Sequence, residues 1–330
     1  LTKFENRALS SATASGTWCS GGSDMTRSGR VAQMPMRDGV SASVVAVPAG
    51  HWPHLLDFLA QRMPGISRSE WARRLDQGLV LQESGQSAQA HQPCLAGQRY
   101  FYYRHVADEP PLPGQAAVVF EDDHLLVADK PHFMPVTPSG PYVQQCLLVQ
   151  LKRLTGQADL VPLHRIDRET AGLVLFGKRL HERDAYHALF REHAIHKTYH
   201  AVALHRPELT LPRVHTSRLA EDPVHFFKMC EVQGEPNSET RIALLRSEGG
   251  RALYQLEPVS GKRHQLRVHM MAMGLAIEGD QFYPTVLRGP DAEEDFSNPL
   301  QLLAKSVAFT DPVTSEAREF QSALQLSITL

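Results

Sequence analysis

Residues 163–178 read LHRIDRETAGLVLFGK, and the two halves of this stretch differ in character. The second half, Gly172 to Phe176 closed by Gly177, is an unbroken apolar run of strand length. Such a run describes a strand covered on both faces rather than one with a face in water. The first half sets His164, Arg165, Asp167, Arg168 and Glu169 directly ahead of it. Guanidiniums on either side of Asp167 favour its ionised form, which keeps it available as a nucleophile or charge stabiliser. Taken alone, the cluster also reads as a surface ion-pair loop.

Working outward, AAVVFEDDHLLVADKP (116–131) holds two apolar runs split by the turn residues Glu121, Asp122 and Asp123, the mark of paired strands. VQQCLLVQLKRL (143–154) and ERDAYHALFREH (182–193) carry helical periodicity, and KTYHAVAL (197–204) alternates as a strand does. ETRIALLRSEGGRALYQLEP (239–258) predicts a hairpin around Gly249-Gly250, and GKRHQLRVHMMAMG (261–274) predicts a helix. Strands and helices alternate without a regular βαβ rhythm, so the fold class is α+β with a mostly antiparallel mixed sheet.

Toward the N-terminus, Leu55, Leu56 and Leu59 recur at helical spacing up to Gly65. Ser67 then caps a second helix to Gly78, with Glu70 completing a capping box. Two short strands follow, LVLQ (79–82) and GQRYFYYR (97–104). Residues 50–104 therefore form a small α/β module, with Arg68, Arg73 and Arg74 at or just inside its second helix. The Pro-rich stretch 105–115 is a linker, and 116–330 is the main domain. Residues 1–45, rich in Ser, Gly and Thr at their start, read as a disordered tail.

Composition bounds the function. The 330 residues carry 34 Lys and Arg against 36 Asp and Glu, a net charge of -2. That excludes an indiscriminate charge-driven polyanion binder but leaves room for a local basic groove. Four scattered cysteines without a CxxC pair fit neither a disulfide framework nor a thiolate zinc site, and point to a reducing cytoplasm. No apolar run approaches a membrane span. The 17 histidines include no HExxH and no compact ligand set, so no metal is expected. With no GxGxxG or P-loop, no nucleotide cofactor is expected either.

Two further features bear on chemistry. Lys262 and Arg263 fall in the first turn of the 261–274 helix, with Arg263 and Arg267 as i,i+4 neighbours. Cations there oppose the helix dipole, and an anionic partner such as a phosphate would relieve the conflict. Lys197-Thr198-Tyr199 opens a strand, a place where tyrosine ordinarily serves packing.

Together these segments resemble the RluA-type pseudouridine synthases. LHRIDRETAGLVLFGK is similar to the family's signature around its catalytic aspartate, and KTYHAV to the Lys-x-Tyr strand that follows. PVSGKRHQLRVHMMAMGLAIEGDQFYP resembles the third motif, including the Gly-Asp near its end. EDDHLLVADKP and LLAKSVAFTDPVT fit the opening and closing segments, so the likeness runs in order from Val118 to Phe320. In the closing motif Leu303 stands where the family often has His, and Ala171 replaces a common Ser. The 50–104 module resembles a diverged S4-type RNA-binding domain.

The resemblance implies a cofactor-free isomerase that turns uridine of ribosomal or transfer RNA into pseudouridine. Asp167 would be the catalytic carboxylate, Arg267 its ion-pair partner, and Tyr199 the group beside the flipped base. Arg165 would fill the vacated stack. Arg168, Lys262, Arg263, His264, Gln265, Arg68, Arg73 and Arg74 would contact RNA. A cytoplasmic monomer, without membrane or nucleotide cofactor, completes the expectation. Glycosidic hydrolysis of a nucleic acid is the enzymatic alternative, and a non-catalytic RNA-binding protein the other.

Overall fold

The computed structural model describes residues 34–104, 109–289, 292 and 295–327. A small three-stranded antiparallel sheet comes first, with β1 (Ser43–Ala46) and β2 (Val80–Gln82) flanking β3 (Arg99–Tyr102). The helices α1 (Leu55–Arg62) and α2 (Arg68–Asp76) pack on it through Leu55, Phe58, Leu59, Trp71 and Leu75, which meet Val80, Tyr100 and Tyr102. The Ser67 hydroxyl accepts the Glu70 amide at 3.2 Å, the expected N-cap. The Glu70 carboxylate does not close the box but binds Arg73 and Arg74 instead.

The boundary of the N-terminal tail is corrected. Residues 1–33 lie outside the described residues, but β1 starts at Ser43, within the stretch read as tail, and pairs in register with β3. Val40 is buried against Val143, Cys146 and Val149 of the larger domain. Four residues are too few to show a period, and the partner strand supplies the order. In the linker, residues 105–108 are outside the described set. Glu109 takes the Gln144 and Gln145 amides at 2.7 and 2.8 Å, so its end of the segment is anchored.

The larger domain is built on an 11-stranded mixed sheet. Its strands are β4 (Ala117–Glu121), β5 (Leu125–Lys130), β6 (Val161–Pro162), β7 (Ala171–Gly177), β8 (His196–Leu204), β9 (Arg213–Glu221), β10 (Met229–Val232), β11 (Ser238–Glu248), β12 (Arg251–Pro258), β13 (Leu302–Thr310) and β14 (Ala317–Gln321). The main order is β10-β9-β11-β12-β8-β13-β7-β5-β4, with β14 on β13 and β6 on β7. Every named pairing is antiparallel except β13 with β7.

Every residue of β5 and β7 is buried, and the packing gives the reason. Leu126, Ala128, Val174 and Phe176 face the helix α3 (Leu147–Thr155). Leu125, Val127, Leu173 and Leu175 pack with Tyr186, Leu189 and Phe190 of α4 (Arg183–Arg191). Covered by helices on both faces, these strands cannot alternate. The strands β9 and β10 escape sequence reading for the opposite reason: they are largely exposed, so no apolar face marks them.

Candidate active site

Two close backbone approaches hold the site's frame. At Gly172 (φ +109°) β7 passes so near β13 that a Cβ would lie 2.3 Å from the Ala304 carbonyl oxygen and 2.7 Å from its nitrogen. Only glycine tolerates both that φ and that contact. Gly279 (φ +74°) is held likewise against the Pro299 carbonyl. The first glycine follows the Asp167 loop, and the second precedes Asp280.

The helix α5 (Gln265–Ala272) begins later than its sequence pattern predicts. His264 is its N-cap in the left-handed region (φ 53°), so Lys262 and Arg263 precede the helix rather than occupy its first turn. The conflict with the helix dipole therefore does not arise, and Arg263 and Arg267 do not share a helix face. Arg263 instead donates to the Phe226 and Lys228 carbonyls at 2.9 and 3.0 Å, bracing the β9–β10 connection.

Arg267 is the centre of the site. It is 1% exposed and binds Asp280 bidentately, Nε to Oδ2 at 2.8 Å and Nη2 to Oδ1 at 2.7 Å. Its remaining Nη1 reaches Asp167 Oδ2 at 3.5 Å and Glu169 Oε2 at 3.8 Å. Burial opposes its charge, but the Asp280 hydrogen bonds and the neighbouring carboxylates raise its pKa above the usual arginine value. The cation beside Asp167 thus comes from 100 residues away. Of the two sequence neighbours, Arg168 turns to Glu169 at 3.1 Å and lies over the Tyr142 ring, while Arg165 is exposed.

Three groups complete the inner wall. The Tyr199 hydroxyl makes no hydrogen bond among the described residues, and burial together with the Asp167 charge pushes its pKa well above the ordinary tyrosine value. It keeps its proton at neutral pH. His264 Nε2 lies 3.9 Å from Asp167 Oδ2, and Nδ1 lies 2.9 Å from the Tyr283 hydroxyl. Burial and then the Arg267 charge pull its pKa down to about 3, so the ring is neutral. Behind the loop, buried Lys130 donates to the carbonyls of Pro131, Met134 and Arg168 at 3.0, 2.7 and 3.0 Å.

Asp167, Tyr199, Arg267, Arg165, Arg168, Lys262, Arg263, His264 and Gln265 all line one open cavity of about 720 Å³. Two of the expected RNA contacts need correction. Gln265 is buried with its amide saturated: Nε2 donates to Glu239 O and Thr240 Oγ1, and Oε1 accepts from Ser260 Oγ and Lys262 N. It has no hydrogen-bonding capacity left for a ligand and serves to tie the 260–265 loop to β11. Arg74 is buried, bound to Glu70 at 2.7 Å and packed over Trp71, so it presents no cation to solvent. Arg68 and Arg73 are exposed but ion-paired, with Asp57 and Glu70 respectively. Sequence reasoning missed Asp280 and Glu169 as the anions that fix Arg267. The Gly279-Asp280 pair was visible, but nothing local says which cation an acid will meet.

One metal-like cluster exists among the described residues: His215, Glu231 and His269. His269 faces Ser217 and Ser238 with one ring nitrogen and Thr240 with the other, and His215 meets Glu231 at 2.7 Å. The hydroxyls around both His269 nitrogens give the buried ring hydrogen-bond partners of its own.

Comparison with known proteins identifies the chain's relatives. The family model described as RNA pseudouridylate synthase matches residues 124–272. An uncharacterized RNA pseudouridine synthase of Synechocystis sp. is 31% identical over 231 residues, 69% of this chain and 79% of that protein. The dual-specificity RNA pseudouridine synthase RluA of Vibrio cholerae is 30% identical over 204 residues, covering 62% and 80%. Ribosomal large subunit pseudouridine synthase C of the same organism is 31% identical over 209 residues, covering 63% and 65%. The solved structure of human RNA pseudouridylate synthase domain containing 1 shares the fold, with a TM-score of 0.52 at 19% identity over 66% of this chain and 86% of that one. These findings make the protein an isomerase of RNA. It belongs to the pseudouridine synthase family, and within it to the RluA type. Among the described residues no helix is long and apolar enough to cross a membrane.

Proposed function

We propose that the protein converts uridines in structured ribosomal RNA to pseudouridine, with Asp167 as the catalytic carboxylate. The name of one Vibrio cholerae relative, ribosomal large subunit pseudouridine synthase C, favours ribosomal RNA, and transfer RNA, which the sequence resemblance also implies, is the second candidate substrate. The observation that carries the reading is the approach of the Asp167 carboxylate to buried Arg267 at 3.5 Å in the cavity that Tyr199 also lines.

The reaction breaks the C1′–N1 bond, turns the base, and joins C5 to C1′, with loss of the C5 proton matched by gain of a proton at N1 and no net redox change. Asp167 acts on the ribose, as nucleophile at C1′ or as the base of a glycal route; each needs one carboxylate. Arg267, fixed by Asp280, holds Asp167 aimed. Tyr199, protonated and without an internal partner, offers its hydroxyl to the turned base during proton removal. The uridine must leave its stack to enter the cavity, at a cost of about a few kcal/mol. Exposed Arg165 supplies a planar cation to stack where the base was. Lys262 and Arg263 at the cavity mouth meet phosphates, and residues 50–104 act as an S4-like RNA-binding module through Arg68 and Arg73, ahead of a catalytic domain spanning 116–330.

The test is Asp167→Asn in purified enzyme on a ribosomal RNA transcript, with pseudouridine mapped by chemical labelling. Product formation is expected to vanish while RNA affinity stays within a few-fold, as a shape-preserving change away from the phosphate contacts requires. Retained turnover sinks the assignment, and release of free uracil would make the enzyme a hydrolase.

A further inference from the structure

The two faces of the central strands carry different chemistry. Successive residues of a strand point to opposite faces, and the cavities follow that rule. Tyr199 and Leu302 line the active-site cavity, whereas their neighbours His200 and Leu303 line a second cavity of about 290 Å³. His200 of β8 stands opposite Leu303 of β13, and Arg246 of β11 stands opposite Leu253 of β12. Arg246 follows a bulge after Leu244, and Lys305 sits at a second bulge between Ala304 and Ser306. Bulges re-aim side chains, and here they bring two cations to one place. Leu324, Gln325 and Leu326, beyond β14, close the rim.

The cavity's electrostatics are one-sided. Its lining contains His200, Arg246 and Lys305 and no carboxylate. Among the described residues neither Arg246 nor Lys305 forms an ion pair, although Arg318, Arg251 and Lys178 all do. Lys305 Nζ has one acceptor, the Ser322 carbonyl, which leaves two of its three donors unspent. The His200 ring makes no hydrogen bond among the described residues. Burial, then the charges of Lys305 and Arg246, push its pKa below the ordinary value, with no acid acting in the other direction. The remaining walls are four leucines, Leu253, Leu303, Leu324 and Leu326, and Gln325.

We propose that this reverse face, directly behind Tyr199, is a binding site for a small phosphomonoester with an apolar body, gripped by His200, Arg246 and Lys305. Charge and shape select this class. Two fixed cations match a phosphomonoester dianion, whereas a monocarboxylate would leave one cation unbalanced. Arg246 can engage two phosphate oxygens at once and Lys305 a third. His200 adds a donor through either ring nitrogen, or through both where the approaching anion favours uptake of a proton from solvent. The leucines beside the cations give an organic substituent apolar contact that a free ion cannot use. The site lies outside the Asp167 cavity and does not depend on the roles proposed there.

Titration calorimetry of the full chain with phenyl phosphate and with inorganic phosphate tests this. Phenyl phosphate is expected to bind at one site, about tenfold tighter than inorganic phosphate, because the ring buries apolar area against the leucines. Arg246→Gln and Lys305→Gln should each weaken it by about tenfold or more, the loss of one charge-assisted contact. The double variant Lys262→Gln/Arg263→Gln, which strips cations from the other cavity, should leave it unchanged. Arg246 is exposed, so its variant is expected to melt with the wild type and keeps the test decisive if Lys305→Gln misfolds. Absence of binding to the wild type, equal affinity for both probes, or binding insensitive to Arg246→Gln overturns the proposal. So does a loss of RNA affinity in Arg246→Gln without phenyl phosphate binding to the wild type, which would assign these cations to the RNA backbone.

Discussion

Asp280→Asn isolates what holds the buried Arg267 guanidinium. The substitution keeps the shape of the side chain and removes one charge from a fully buried bidentate pair, at 2.7 and 2.8 Å from Arg267. Removing one partner of a buried ion pair costs about 3–5 kcal/mol, because the other charge is left uncompensated. Arg267 is not wholly abandoned, since Asp167 and Glu169 stand 3.5 and 3.8 Å from Nη1. The expected loss is therefore near the low end, about 3 kcal/mol. At about 2–4 °C per kcal/mol for a domain of this order, the midpoint should fall by about 6–12 °C. Asp280 also accepts the amides of Phe282 and Tyr283 through Oδ1 at 2.9 and 3.2 Å. The Asn carbonyl can keep those bonds while its NH2 faces the guanidinium, which concentrates the loss on Arg267.

The functional effect follows from the same geometry. Freed from Asp280, Arg267 is drawn toward Asp167, and the carboxylate is no longer aimed. Pseudouridine formation under single-turnover conditions should slow by about 100-fold, the penalty typical of misplacing a catalytic group by 1 Å, with RNA affinity unchanged. Combining Asp280→Asn with Arg267→Gln should cost less than the sum of the two, with a coupling of about 1–3 kcal/mol, since the residues touch. Wild-type melting and wild-type rate in Asp280→Asn, or strict additivity in the double variant, would refute the reasoning.

Three further outcomes are expected. Gly172→Ala should abolish soluble expression or lower stability by more than about 3 kcal/mol, since a Cβ would meet the Ala304 backbone at 2.3 Å in a strained φ; a variant that melts within two degrees of wild type would mean β7 and β13 are not so close. Tyr199→Phe removes only a hydroxyl that has no internal partner, so stability should hold while the single-turnover rate falls by about 10²-fold or more; an unchanged rate removes Tyr199 from proton removal. Burial holds His164 and His264 at about 3 and His269 at about 4, against an ordinary 6.5. Between those values the unfolded chain binds protons that the folded chain refuses, so stability should fall as pH drops through that window, as urea titrations at stepped pH would show. Stability flat from pH 7 to 4.5 contradicts neutral burial of these rings.

The legible parts of the fold were those whose pattern is local. The unbroken apolar run at 172–176 announced a doubly covered strand, and α3 and α4 supply the two covers. Gly249-Gly250 turns the β11–β12 hairpin with positive φ at both residues, as an adjacent glycine pair permits. What stayed illegible was set by distant partners. The short strand β1 is ordered by β3, and β9 and β10 bury too little to show a period. The late start of α5 is fixed by Gln265, whose amide spends itself on β11 and the loop before the helix. A glutamine in a basic motif reads as a ligand contact until its four partners are seen.

The site divides along the same line. Asp167 and Arg267 were readable as candidates, yet the physical basis of their pairing was not the one the local sequence suggests. An acid flanked by Arg165 and Arg168 looks neutralised by its neighbours, but Arg168 spends its charge on Glu169 and Arg165 stays exposed at the cavity. The cationic partner arrives from α5, and Asp280, behind Gly279, grips its other edge. Three chain segments therefore meet at one guanidinium. Asp167 is held far more loosely than Asp280, with one contact at 3.5 Å against two short bonds. That inequality suits the role proposed for Asp167. Asp280 absorbs the structural demand of burying Arg267, so Asp167 is oriented by the cation without being consumed by it, and among the described residues its second oxygen makes no hydrogen bond, which suits the proposed approach of a ribose.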